Sequence, residues 1–454
     1  MGRTIWAMTI ALSLFAGTAM AQVPVTGVNA SLQDILGTST LITVVLKQRG
    51  STDPNCQLVD IGPGYLSVLT ETGQRFAYRF EDIREIRVQG DRIEEDRYDP
   101  DASRALTDEE AASLRQALSR AREVFQQATD NQSVRMDAAA ILTLNNDEEA
   151  ERYLTGLAQS NDLETALEAL LRLYAAGKDI SQYEQIEMGL ESGNRVIKGL
   201  AMTLAGLTGD PGFELRLRGH AEDRMAEIAV PAVRSLTRLG SQAIVPILLE
   251  MLGSLNADRA EVAVDCLVKL GGEDVKRQLR DRLDTAVRLE RQRIIEVLYH
   301  LGDEDAEMQL LQQVESVPTL ARRAAVVLAS DGNYYARSYL SEHLNQRYDR
   351  DVRTLSCRAE MAAAVSRGGD RKSVAVLQEL LRLDEPEVRD LTLRYIAELG
   401  RRTTLPVLRP ALQHGDLRTA VRACEATVAT LDPEYRERLI DISYRVKMRG
   451  HCEL

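Results

Sequence analysis

Turn residues recur along this chain with a period near 31, and no other feature restricts its fold as much. Gly177, Gly209, Gly240, Gly271, Gly302, Gly332, Gly369 and Gly400 stand 32, 31, 31, 31, 30, 37 and 31 residues apart. Asn146 extends the series 31 residues upstream and Asp432 extends it 32 downstream. Several of these turns read Leu-Gly, at Leu239, Leu270, Leu301 and Leu399. Glycine suits the residue just past a helix, where left-handed backbone is cheapest without a side chain. Eight residues beyond the turns stand Leu154, Leu217, Leu248, Leu279, Leu310, Leu340, Leu377, Leu408 and Ile440. Twelve beyond stand Leu252, Leu283, Val314, Leu344, Leu381 and Leu412. Positions four apart are one helical turn apart and share a face. The Gly177 unit keeps the pattern with a shift of one residue, at Ile186 and Leu190. A second amphipathic stretch precedes each turn, as from Val388 to Leu399, and Pro318 and Pro386 open such helices where a missing N–H costs nothing. One helix pair cannot bury its apolar stripe alone, but stacked pairs bury a continuous core. The expected fold is therefore mainly α, an α–α superhelix of about ten helix pairs over residues 131–445. At ~8–10 Å per packed layer the stack makes an arc about 80–100 Å long.

The stretch Asp384-Glu385-Pro386-Glu387-Val388-Arg389, running on to Ile396-Ala397-Glu398-Leu399-Gly400, combines an acidic loop, Val-Arg, an apolar helix and Leu-Gly. It resembles the short-period HEAT-like repeat family, which includes the repeats of bilin lyases. The resemblance extends over roughly residues 130–445. It implies a solenoid and, because fold does not imply function, no particular activity.

The N-terminus reads as a secretory signal over residues 1–21. Arg3 supplies the positive end, Ile5 to Phe15 the short apolar stretch, and Ala19-Met20-Ala21 the small residues that place cleavage before Gln22. The apolar run is too short to span a bilayer, and no later run reaches the ~18 apolar residues a membrane helix needs. No cysteine marks a lipid-anchored variant of the signal. The mature chain is expected to be soluble, and periplasmic or secreted. The net charge of −13 excludes the electrostatic footprint of a nucleic-acid or anionic-membrane binder. Five cysteines (Cys56, Cys266, Cys357, Cys424 and Cys452) are too few and too scattered for a disulfide framework. Two or more units separate Cys357 from Cys424, too far to bond in an extended stack. Cys266, among Val262, Ala263, Leu267 and Leu270, reads as a core residue.

Residues 22–89 obey a different rule. The runs 41–46, 57–61, 65–69, 76–80 and 83–88 are β-branched and aromatic, most with period two, and turn signals separate them. A short helix followed by five strands resembles a small Sm-like or SH3-like barrel. The loop Gly62-Pro63-Gly64-Tyr65 lacks the Asp-x-apolar-Asn signature of the Sm-like family, and with the acidic chain this opposes RNA binding. The module is expected to dock on or cap the solenoid. Residues 90–106 form an acidic linker, with Glu94-Glu95-Asp96 and Asp99-Pro100-Asp101, and its Asp spacing lacks the central Gly of a calcium loop. Thr107 with Glu110 is a capping box that opens a capping helix within 107–130. Residues 446–454 form a tail.

No catalytic constellation stands out. His220, His300, His343, His414 and His451 are scattered, with no pair at metal spacing, and there is no phosphate-binding glycine loop or nucleophile elbow. His300 ends a helix, where it complements the dipole. No cofactor is expected. Two features suggest a partner surface. A basic residue lies eleven positions before the turn at Arg135, Lys198, Arg291, Arg358 and Arg389, with Arg322 and Arg422 one residue off. Stacking aligns these into a ladder that either pairs with acids of neighbouring units or grips an acidic peptide or polymer. The long unit after Gly332 holds an insertion with Tyr334, Tyr335, Tyr339 and Tyr348, which serve a binding face or packing. The reading that follows is a non-enzymatic scaffold for a protein or peptide partner in the cell envelope. Its rivals are a prosthetic-group handler, by analogy with bilin lyases, and a cell-wall carbohydrate binder.

Overall fold

The structure, a computed structural model, describes residues 9–10, 41–46, 52–62, 65–70, 75–79, 83–89, 106–286, 288–346, 348–367 and 371–442. The expected cleavage site, the linker at 90–105 and the tail at 446–454 lie outside the described residues. No helix among the described residues is long and apolar enough to cross a membrane.

Helices occur in alternating roles. The first of each pair are α1 (Asp108–Gln127), α3 (Glu148–Ala158), α5 (Gln185–Leu190), α7 (Glu214–Ala221), α9 (Val245–Leu252), α11 (Glu273–Leu283), α13 (Glu304–Ser316), α15 (Tyr334–Leu344), α17 (Arg371–Leu380) and α19 (Leu405–Leu412). The second are α2 (Gln132–Leu144), α4 (Leu163–Ala175), α6 (Arg195–Leu207), α8 (Ala226–Arg238), α10 (Ala257–Leu270), α12 (Arg288–His300), α14 (Pro318–Ser330), α16 (Val352–Arg367), α18 (Pro386–Leu399) and α20 (Leu417–Leu431). A last helix, α21, covers Pro433–Ile442. The turn residues behave as their chemistry requires: Asn146, Gly177, Gly209, Gly240, Gly271, Gly302, Gly332 and Gly400 all have positive φ. Gly369 lies outside the described residues. Leu154, Leu217, Leu248, Leu279, Leu310, Leu340, Leu377 and Leu408 are all fully buried.

The solenoid is not an arc. Each second helix packs on the next, and α20 packs on α2, so ten pairs close into a ring. The capping helix α1, opened by the Thr107–Glu110 box, packs against α20 as well as α2. It is therefore an outer helix shared by the first and last pairs. Arg402 of the last unit meets Glu110 at 3.0 Å, with both side chains buried, and Arg409 meets Glu109 at 2.6 Å. Arg120 donates to the carbonyls of Leu412 and His414 at 3.1 Å each, satisfying the C-terminal end of α19.

Closure also explains where the period fails. Asp432 has φ −123°, not the left-handed turn, and its carboxylate accepts the Tyr435 N–H at 3.0 Å. Ile440, the expected core residue of the last unit, is 45 % exposed. The outer place beyond α20 is already filled by α1, so α21 turns across the ring instead. There it meets the C-terminal ends of the inner helices, which run parallel and gather their unsatisfied carbonyls at one end. Arg438 donates to the Ala175 carbonyl at 2.9 Å and Arg436 to the Gly400 carbonyl at 3.4 Å. Asp441 receives Arg238 at 3.5 Å and Lys269 at 3.6 Å.

The N-terminal module is an open antiparallel sheet, not the closed barrel expected. Its strands are β1 (Thr9–Ile10), β2 (Leu41–Leu46), β3 (Thr52–Gly62), β4 (Tyr65–Leu69), β5 (Arg75–Arg79) and β6 (Ile83–Gln89), in the order β1-β6-β2-β3-β4-β5. Among the described residues no ladder joins β5 back to the other edge. The ring covers β5 in its place, since α15 lies against it. Ile42, Val44, Leu58, Leu66 and Val68 form the small core of the sheet.

Cys266 and Cys424 are free and buried, Cys56 is buried, and Cys357 is disulfide-bonded. Burial pushes the Cys266 thiol up to about 11. Native Cys266 and Cys424 are therefore expected to resist iodoacetamide until the ring unfolds, because the thiolate is the nucleophile. Non-reducing peptide mapping is expected to show one cross-linked cysteine pair that includes Cys357.

Candidate functional site

A cavity of about 750 Å³ opens inside the ring, lined by the inner helices α2, α4, α6, α8, α10, α18 and α20 and by α21. Its wall carries charge where a solenoid normally carries leucine. Asp137 of α2 accepts from Arg172 of α4 at 3.0 Å and pairs with Arg422 of α20 at 3.1 Å. Arg422 also reaches Asp390 of α18 at 3.3 Å and pairs with Glu425 on its own helix. Asp390 accepts from Arg394 at 3.1 Å. One ion network thus spans four inner helices across the closure point. Burial pushes the Asp137 carboxyl up, but Arg422 and Arg172 outweigh it and hold it below the ordinary range. For Glu425, burial wins over Arg422 and the carboxyl is raised. Burial would lower Arg422, but Asp137, Glu425 and Asp390 raise it. Tyr435 of α21 lies in the same wall, fully buried, and its hydroxyl has no hydrogen-bond partner.

A second network faces a smaller cavity of about 180 Å³. Arg323 of α14 pairs with Glu261 of α10 and with Glu296 of α12, both at 2.8 Å. Arg293 lies 3.7 Å from Glu261. Arg323 thus ties α14 to its neighbour α12 and, across it, to α10. None of the described residues groups three or more His, Cys, Asp or Glu as a metal site.

The basic positions do not form an open ladder. Arg358 and Arg389 are 7 % and 8 % exposed. Arg389 donates to the Leu383 carbonyl at 2.6 Å, and the exposed Arg291 donates to the Leu283 carbonyl at 2.9 Å. Both serve carbonyls at or just past the end of a first helix. Arg135 lies over the Phe125 and Tyr153 rings, 4.8 and 4.6 Å from their centroids. Only Arg422 joins the central network.

The four tyrosines also separate. Tyr348 lies under Arg358, 3.8 Å from ring centroid to guanidinium, and its hydroxyl donates to Glu379 at 2.5 Å. Arg358 reaches the other oxygen of Glu379 at 3.1 Å, so this trio closes the long unit's insertion onto α17. Tyr339 stacks near His343 with centroids 4.2 Å apart. Tyr335 is 47 % exposed. Tyr334 stacks on Phe76 of β5 with centroids 6.4 Å apart.

That last contact belongs to the junction between sheet and ring. The Tyr65 hydroxyl donates to the Asp331 carbonyl at 2.7 Å, in the turn before α15. Arg75 pairs with Asp60 at 3.6 Å, and both lie against Gly332, where a Cβ would fall 2.9 Å from the Arg75 guanidinium. Burial, then Asp60 and Asp331, raise the Tyr65 hydroxyl, so it stays protonated and donating. Tyr65→Phe is expected to weaken the junction by ~0.5–1.5 kcal/mol, the worth of one such bond. Faster amide exchange in the turn at Asp331–Asn333, with unchanged exchange in α2 and α20, is the expected readout.

The central groups escaped the repeat pattern because each sits inside an apolar run. Asp137 stands between Met136 and Ala138, and Arg172 between Leu171 and Leu173. A lone charge in such a run is the signal that marks them, since buried charges are paired.

No protein-family model matches this chain, and no curated protein does. Among solved structures, an engineered protein matches at 18 % identity and TM-score 0.27, covering 68 % of this chain and 98 % of its own. Human deoxyhypusine hydroxylase in complex with glycerol matches at 19 % identity and TM-score 0.28, covering 54 % of this chain and 96 % of its own. Superpositions this loose carry no argument about activity, ligand or partner, and the chain stands on its own geometry as a helical solenoid with a small sheet.

Proposed function

We propose that this chain is a non-enzymatic interaction scaffold, exported to the periplasm or secreted, in which a HEAT-like ring carries an Sm-like or SH3-like sheet module and binds a protein or peptide partner. One observation carries the reading. Exposed apolar side chains recur in four successive pairs at the end of the ring where the inner helices begin: Val196 at 45 %, Met225 at 37 %, Leu255 at 104 % and Leu289 at 38 %. Val196 and Leu289 stand in the first turns of α6 and α12, Met225 caps α8, and Leu255 precedes the Asn256 cap of α10. Single exposed apolar residues are ordinary, but a row at one structural position favours a partner surface. The disulfide at Cys357 fits an oxidising compartment.

The test is capture from an envelope extract with the wild-type chain and with a Met225→Asp/Leu255→Asp variant. Both positions are exposed, so the fold is expected to survive. A saturable partner retained by the wild type and lost by the variant supports the reading. Capture by both moves the contact away from this rim, and capture by neither removes the scaffold reading.

A further inference from the structure

Cys357 of α16 is disulfide-bonded, and the chain has few partners to offer it. Of the other four cysteines, Cys266 and Cys424 are free. Cys56 packs in the sheet's own core with Leu58 and Leu66, whereas Cys357 belongs to the ring's core, so those two sulfurs do not meet. Cys452 is the one cysteine left, ten residues beyond Ile442 at the end of α21. Residues 443–454 lie outside the described residues. Ten extended residues reach about 33–36 Å, and α16, with 16 residues, is about 24 Å long. The chain beyond α21 is therefore long enough to climb the full height of the inner wall. A path leads there. Ile442 lines the central cavity, and the central and smaller cavities share Glu261 and Glu398 in their walls, so they adjoin. On α16 the smaller cavity is faced by Glu360, Ala364 and Arg367, which stand three, seven and ten residues beyond Cys357 on the same face of the helix. Cys357, 5 % exposed, thus lies one turn past the smaller cavity on that stripe. Among its described lining residues this cavity has five carboxylates, Glu360 and Glu398 among them, against the two guanidiniums of Arg323 and Arg367. Residues 443–454 carry Arg445, Lys447 and Arg449 against one acidic side chain, Glu453.

We infer that residues 443–454 are the ring's own occupant: from α21 they run past the smaller cavity along α16, and a Cys357–Cys452 disulfide staples them there. The new Sγ–Sγ bond replaces two S–H bonds, and two electrons and two protons pass to a disulfide oxidant, which leaves as two thiols. The staple gives α21 a second anchor. Arg436 and Arg438 already hold it to the carbonyls of Gly400 and Ala175, and the stapled segment ties its far end to α16. Reduction frees the segment and uncovers the acidic wall beside α16, so access to this part of the ring's interior follows the thiol–disulfide state. The inference is independent of the rim row, and the pairing is a property of the purified chain whatever its compartment.

The test takes the purified full-length chain, reduces it under native conditions, reoxidises it with glutathione disulfide and digests it with trypsin without further reduction. The expected product is one linked species of the peptides Thr354–Arg358 and Gly450–Leu454, which a phosphine reductant splits. Cys357 linked to any other cysteine, a disulfide-linked dimer on a non-reducing gel, or Cys357 and Cys452 both recovered as thiols overturns the inference. Hydrogen exchange then compares the oxidised chain with Cys452→Ser, which leaves every residue of the described core in place. Exchange is expected to be about tenfold faster in α16 and α21 of the variant and unchanged in α2 and α4. Equal exchange in α16 would mean a cross-link without a docked segment. A rise shared by α2 and α4 would assign the bond to general stability. Either result overturns the docking.

Discussion

Arg422→Ala is expected to destabilise the ring by about 3–5 kcal/mol at neutral pH, the cost of leaving buried carboxylates without their partner. Asp137, Asp390 and Glu425 all lose their shared cation at once, at the seam where α20 meets α2. The loss is expected to depend on pH in a defined direction. Asp137 is held below its ordinary value of 3.8, so its stabilising contribution is present above that pH and is lost as pH falls through the lowered value. Glu425 is raised above its ordinary 4.5, so its protonated form is favoured in the fold, and that contribution is lost as pH rises through the raised value. Removing Arg422 releases Asp137 from its low value and pushes both acids further toward the protonated form. The penalty should therefore be largest near neutrality and shrink as pH falls toward the range where carboxylates protonate. Urea unfolding of both proteins across that range measures it. A pH-independent penalty would mean that the network is held by packing and not by charge. Glu425→Gln is the companion: it removes a carboxylate for which burial outweighs pairing, and is expected to be far milder than Arg422→Ala.

Gly206→Ala is expected to cost about 3 kcal/mol, the upper end for overpacking a well-filled interior. A Cβ at Gly206 would lie 2.4 Å from the Cβ and Oγ of Ser235 and 2.6 Å from its Cα. Those atoms belong to the backbone and stem of α8, and no flexible side-chain end can move aside. Ser235 is itself pinned, donating to the Met202 carbonyl at 2.7 Å. In a closed ring the strain cannot be relieved by opening the curvature, as an open solenoid allows, since α1 and α20 hold the ends. Thermal unfolding reads the effect directly. A Gly219→Ala control, where a Cβ meets nothing within 4 Å, is expected to be neutral or stabilising through helix propensity.

The helix pairs, their turns and the capping box were legible in the sequence because each is a local matter. A left-handed residue every 31 positions and leucines one helical turn apart are decided within a single pair, so Gly240 or Leu248 can be placed without knowing where the pair lies. The Thr107–Glu110 box is the same kind of statement, since both of its bonds are made within four residues. The basic positions misled for a related reason. Spacing puts Arg358 and Arg389 the same number of residues before their turns, yet says nothing of whether those side chains meet water or the end of a neighbouring helix. Carbonyls at first-helix ends and the Glu379 carboxylate draw these side chains inward. The tyrosine insertion was likewise visible as a six-residue excess, while its division between the sheet, α17 and His343 was not.

Periodicity, capping and hydrophobic patterning determined that this chain is a stack of helix pairs with a short β module ahead of it, because those signals act over one or two helical turns. Only the tertiary structure decided that the stack closes, that α1 serves both ends, and that α21 lies across the ring instead of extending it. Curvature accumulates from small rotations at every pair interface, and no single repeat carries the sum. The charged cavity follows from that closure: Asp137 and Arg422 lie 285 positions apart in the chain and meet only because ten pairs turn through a full circle.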